Sequence, residues 1–128
     1  MNEPVWIDLA DCHAFHAKML ERFGGLDGLR DGGLLESALN RPKNLFAYDE
    51  PSHFDLAASY AVGIVKNHPF LDGNKRSGFM AAALFLEANS HDFHAPEEEV
   101  VERTLALAAG VIGETDYAAW LAKSCSQT

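Results

Sequence analysis

"HPFLDGNKRSGFM", residues 68–80, sets a histidine, an acid, an amide and two cations between two of the most apolar stretches of the chain. On its N-terminal side Leu56, Ala57, Ala58, Tyr60, Ala61, Val62, Ile64 and Val65 cover every side of a helix. Such all-round apolarity marks a buried element. On its C-terminal side Phe79, Met80, Leu84, Phe85 and Leu86 do the same for a helix from Ser77 to Ala88. The spacing predicts two central helices joined by a short polar bend. Pro69 disfavours helical geometry at His68, so the first of them is expected to end near Asn67, with His68 an extended residue beyond it. Phe70, with Leu71 behind it, is the expected apolar anchor of the bend.

The flanks fit around this pair. Asp8 can cap a helix through Phe23, with Cys12, Phe15, Met19, Leu20 and Phe23 on one face and Gly24-Gly25 as the stop. Asp31 can cap a short helix carrying Leu34, Leu35, Ala38 and Leu39, which Pro42 is expected to end, leaving 43–51 as a loop. Between Asn89 and Ala95 there is room for a turn and one brief strand. Pro96 and Glu97-Glu98-Glu99 suit the start of another helix, where the dipole favours carboxylates, with Gly113 as its breaker. Thr115 can cap a last helix with Tyr117, Trp120 and Leu121, and the tail from Ser124 reads as loose. The fold class that follows is all-α, about six helices with little or no sheet, in a single domain over 1–128.

Composition narrows the partners. The 128 residues are 48% hydrophobic and carry a formal charge of -9, which argues against direct binding to nucleic acid or an anionic membrane. No apolar run is long enough to span a bilayer, and the first residues lack a secretion signal, so a cytoplasmic location is expected. Cys12 and Cys125 lie at opposite ends without metal-ligand spacing and read as reduced thiols. From Leu56 to Leu86 the only ionised residues are Lys66, Lys75 and Arg76 against Asp72, a net +2 within an acidic chain. A locally basic spot of this kind fits a small anionic ligand.

The chemistry of the bend points the same way. Asp72-Gly73-Asn74 leads into a helix whose first N–H groups have no partner within it and carry the positive end of its dipole. Gly73 lets backbone approach a ligand closely, and Lys75 and Arg76 add donors suited to phosphate oxygens. Asp72 beside a phosphate suits Mg²⁺, held by one carboxylate and the ligand's own oxygens. His68, if neutral, can take a proton from an incoming hydroxyl. Singly, each residue has a plainer reading: a helix-end histidine, an N-cap, turn formers and solvated charge. Their coincidence beside two buried helices favours the site. Lys66, two residues before the base, either helps with phosphates or is a solvated cation at a helix end. The pairs His13/His16 and His91/His94 have zinc-like spacing but no third ligand in view, and read as surface or half-buried histidines.

With His68, Phe70, Asp72, Gly73, Asn74 and Arg76 in place, the sequence resembles the Fic/Doc family, whose signature is His-x-Phe-x-[Asp/Glu]-Gly-Asn-x-Arg. The likeness extends to "RFGGLDGLRDGGLLESALNRP" (22–42) and "AAALFLEANSHDF" (81–93), as in the Doc (death-on-curing) branch. The resemblance implies a toxin that uses ATP and Mg²⁺, with His68 as general base, Asp72 as metal ligand, and Gly73, Asn74 and Arg76 on the phosphates. Two positions bear on the reaction. AMP-transferring members have Gly where this chain has Lys75 and a second Arg where it has Phe79. Doc-like toxins have Lys and an apolar residue, which implies transfer of the γ-phosphoryl group, with elongation factor Tu as the implied acceptor and a small antitoxin protein as partner. AMP transfer to a protein hydroxyl is the alternative, and an inactive phosphate-binding or antitoxin-binding module a further one. The resemblance also implies a substrate flap within 41–51, where Phe46 and Tyr48 either grip the substrate or cover the edge of the bundle.

Overall fold

Helix α3, His53–Asn67, is buried nearly all round, as its composition requires: Leu56, Ala57, Ala58, Tyr60, Ala61 and Ile64 have no exposed surface. The computed structural model describes residues 2–127, and the other elements among them are α1 Leu9–Phe23, α2 Gly32–Tyr48, α4 Asn74–Ala88, β1 His91–Phe93, α5 Glu97–Ala109, α6 Glu114–Lys123 and β2 Cys125–Gln127. The fold is all-α, with six helices described and one small ribbon. No described helix is long and apolar enough to cross a membrane.

Local chemistry sets the helix starts. Asp8 and Asp11 form a capping box on α1, and Ser52 and Asp55 form one on α3. The Asp31 side chain accepts from Leu34 N at 3.0 Å to start α2. α4 crosses α3 closely because Gly78 has no side chain: a Cβ there would stand 2.7 Å from Val65 Cγ2 and 3.1 Å from Ala61 O. Gly63 does the same on the other side of α3, where a Cβ would lie 3.1 Å from Ala38 Cα. The core therefore lies along α3, with α1, α2, α4 and α6 around it.

Several sequence expectations are corrected. Pro42 does not end α2, which runs on to Tyr48. The hydrogen bond lost at a helical proline is offset by burial of its ring and by Leu45 and Phe46 in the next turn, which pack against the core. Residues 43–48 are thus helix, and only 49–52 remain as a link to α3. α5 ends at Gly110, which is left-handed at φ 76°, and Gly113 rather than Thr115 stands at the N-cap of α6. The tail is not loose as far as 127, where β2 pairs antiparallel with β1, Phe93 opposite Cys125; residue 128 lies outside the described residues. Cys12 and Cys125 are free thiols, and burial, followed by Asp11 and Asp8, pushes Cys12 up to about 12.

One of the histidines noted for their spacing, His91, fills a structural role with His53. His91 is buried at the start of β1, and its Nε2 lies 2.8 Å from His53 Nδ1 at the first turn of α3. Its own Nδ1 is buried without a hydrogen-bond partner. Desolvation lowers both pKa values from 6.5, and for His91 the neighbouring His53 adds to it.

Two outcomes are expected. Gly78→Val forces α3 and α4 apart and costs about 1–3 kcal/mol in urea unfolding. Because the histidine pair is held below 6.5, the unfolded chain binds protons first on acidification. Stability is therefore full above that value and falls as pH drops below it. Urea midpoints at successive pH values should show this decline, flattened when both residues are replaced (His53→Gln with His91→Phe).

Candidate active site

Helix α3 closes its last turn with the N–H of His68 bonded to Ile64 O at 3.1 Å, and the chain then reverses into α4 within six residues. His68 makes the reversal in the left-handed conformation, φ 51° and ψ 55°, not as the extended residue expected. A non-glycine residue takes this conformation seldom. The segment before α2 supplies partners to this reversal. Arg30 donates from Nε to His68 O and from Nη2 to Asn67 O, both at 2.6 Å, and its backbone N–H bonds Pro69 O at 2.7 Å. The Asp31 N–H shares Pro69 O, Leu29 bridges Phe70, and Leu71 N–H bonds Gly28 O at 3.0 Å.

The far half of the bend is held from within and from α1. Phe70 is 1% exposed, so the anchor expected of it is real. The Asn74 amide spans the bend with both ends, accepting from Phe70 N and donating to Phe70 O at 2.9 Å each. Its side chain is thereby occupied, and what it can offer a phosphate is its backbone N–H. His16, buried on α1, stacks on Phe70 with ring centroids 3.8 Å apart, and its Nε2–H donates to Asp72 O at 3.0 Å. Gly73 stands at φ 77°, and a Cβ there would fall on Met19 Cε. The left-handed φ favours glycine here, and any side chain would also have to displace the end of Met19.

A cleft of about 1130 Å³ opens over this bend. His68, Asp72, Gly73, Asn74, Lys75 and Arg76 all line it. His68 is exposed, so an acceptor alcohol can reach its imidazole. Asp72 Oδ1 accepts from Gly73 N at 2.9 Å and Oδ2 more weakly from Leu26 N at 3.4 Å. Asp72 is exposed and each of its oxygens keeps acceptor capacity beyond that one bond, which fits Mg²⁺ bound by one carboxylate together with phosphate oxygens. Among the described residues no three His, Cys, Asp or Glu side chains gather as a cage of their own. Helix geometry leaves the N–H groups of Asn74, Lys75 and Arg76 free of partners within α4, an arrangement that binds anions.

Two cations of the cleft escaped the sequence reading. Lys18 and Arg22, one turn apart on α1, line it beside Lys75 and Arg76. Arg76 lies over the Phe23 ring at 3.7 Å and 3.8 Å from Glu97, so aromatic and acidic neighbours hold it at the wall. Phe79 packs on Phe93 and Trp120, at 5.5 and 6.4 Å between ring centroids.

Three predicted residues are not brought to the cleft. Lys66 donates to Ala108 O at 3.3 Å, near the C-terminal end of α5. That end carries negative partial charge and holds the ammonium there. Phe46 packs edge-on against Trp6 at 5.6 Å, and Tyr48 projects into solvent 91% exposed at the end of α2. With 43–48 helical, neither residue sits on a flap.

Comparison with known proteins agrees with this geometry. The sequence model described as "Fic/DOC family" matches residues 6–86. The chain is 35% identical over 107 residues to "Protein kinase doc" of Escherichia phage P1, over 82% of this chain and 83% of that protein. It is 41% identical over 69 residues to "Toxin Doc" of Mycolicibacterium smegmatis, over 52% of this chain and 53% of that protein.

The support given by His16 is open to measurement. His16→Leu leaves the Asp72 carbonyl without its donor and should lower unfolding stability by about 1–3 kcal/mol. His16→Gln, which keeps an N–H of similar reach, should lose less.

Proposed function

Because the chain belongs to the Fic/Doc family, we propose that it is a Doc-like toxin, a cytoplasmic single-domain enzyme that moves the γ-phosphoryl group of ATP to a protein hydroxyl. The observation that carries this reading is that an exposed His68 shares one cleft with the anion-binding start of α4. The relative named a protein kinase, alike over four-fifths of this chain, favours phosphoryl transfer. So do Lys75 and Phe79. A long cation fills space where phosphate would lie against backbone glycine, and an aromatic wall replaces a bidentate clamp.

In this mechanism the acceptor hydroxyl gives its proton to His68 as its oxygen attacks the γ-phosphorus. The bond from that phosphorus to the β–γ bridging oxygen breaks, ADP leaves with the oxygen, and His68 later releases the proton to water. The N–H groups of Asn74, Lys75 and Arg76, with the Lys75 and Arg76 side chains, hold the phosphates in line, while Gly73, whose own N–H is taken by Asp72 Oδ1, lets them approach the backbone closely. Such catalysis is largely positioning and charge neutralisation. Asp72 would hold Mg²⁺, which supplies charge neutralisation at the phosphate oxygens. Lys66 and Phe46 are engaged elsewhere and Tyr48 lies outside the cleft, so the mechanism is written without them.

The resemblance supplies elongation factor Tu as the candidate acceptor and an antitoxin as the silencing partner. An apolar stretch of the cleft lined by Met80, Phe93, Val100, Val101 and Leu105 suits an antitoxin segment that folds on contact.

Incubation with ATP labelled separately at the α and γ phosphates, Mg²⁺ and a bacterial lysate tests the reading. Label from γ on a single translation protein is expected. Label from α would make the enzyme an AMP transferase, and no label a binding module. His68→Ala should lower transfer by about 10²-fold or more and abolish growth arrest at equal expression, with unfolding unchanged.

A further inference from the structure

Arg30 is an exposed residue 38 positions before His68, yet its guanidinium closes on the carbonyls of Asn67 and His68 at 2.6 Å each. Its own backbone N–H takes the next carbonyl, that of Pro69, at 2.7 Å. Three successive carbonyls of the bend thus end on one residue. They are the last carbonyl of α3 and the first two beyond it, where the negative end of the helix dipole makes a cationic donor most effective. The residue so gripped is the one that departs from its expected backbone, with His68 at φ 51°. A non-glycine residue stays in this region only when its surroundings hold it there.

We propose that Arg30 is a positioning residue for the base: it fixes the left-handed backbone of His68 and so aims the imidazole into the cleft. The catalytic part of this inference rests on the reading of His68 as general base, whereas the conformational part stands without it. The fork matters as well as the charge. Two donors set apart on a rigid plane reach two carbonyls at once, which a lysine ammonium on a flexible stem does not reproduce. Arg30 does not line the cleft and touches His68 only through backbone, so its removal leaves the phosphate-binding groups in place.

The test uses the full chain with Arg30→Ala and Arg30→Lys. In isotope-labelled protein the Cα and Cβ chemical shifts of His68 report its backbone region without recourse to activity. The wild type should give left-handed values and both variants should lose them; left-handed values kept in Arg30→Ala would overturn the clamp. In the transfer assay, scored for whichever phosphate is moved, kcat should fall about 10–100-fold while KM for ATP stays within about twofold. Guanidinium ion at millimolar concentration should restore part of the loss in Arg30→Ala but none in His68→Ala. Unchanged kcat in a variant whose His68 has left the left-handed region would overturn the positioning role. If the wild type transfers no label, the proposed activity fails and the chemical shifts alone decide the clamp. Should Arg30→Ala fail to fold, Arg30→Lys carries both readouts, since it keeps the charge beside the helix end.

Discussion

The bend between α3 and α4 is the constraint on which the rest of the molecule depends. These two helices cross closely because Gly78 presents no side chain to α3, and Gly63 does the same for α3 against α2. The six residues between α3 and α4 must turn the chain round, anchor Phe70 in the core and still leave His68 and Asp72 in solvent. Irregular backbone does this only if its polar groups find partners. Here they find them in Arg30, Gly28, Asp31, Asn74 and His16, drawn from α1, from the segment before α2 and from the first residue of α4.

Charge is arranged with the same economy. The chain is strongly acidic, but Lys18, Arg22, Lys75 and Arg76 meet around one cleft where α1 faces the start of α4. Phe23 lies beneath two of these cations, with Arg22 at 5.1 Å and Arg76 at 3.7 Å from its ring centre. Their attraction to the ring offsets some of their mutual repulsion. An anion entering the cleft meets a positive field already assembled, while the acidic exterior turns polyanions away.

Much of this was legible in the sequence, and the failures share a cause. Apolar periodicity gave α1, α3 and α4, because side chains that must be buried leave a pattern in the chain itself. That His68, Asp72, Lys75 and Arg76 lie together on one bend was legible because they are contiguous in the chain. Pro42 misled because a local rule about hydrogen bonds yielded to burial of its ring and of the turn beyond it. The tail misled because its polar residues gain order only from a partner strand more than thirty positions earlier. Arg30 and His16 left no signal because they act on backbone carbonyls far along the chain, and a carbonyl has no residue type to read. Lys18 and Arg22 stand one turn apart, a spacing equally usual on a solvated helix face.

The ribbon of β1 and β2 has a temporal consequence. Phe93 and His94 form part of the cleft wall, and their stretch of chain is stitched to 124–127, with His94 N–H on Ser124 O at 2.7 Å. A polypeptide emerging from the ribosome N-terminus first presents the histidine and the α4 start well before those last residues exist. The bend is thus synthesised early and the strand that completes its cleft wall late, and because a domain folds as a unit the cleft closes only once both are present.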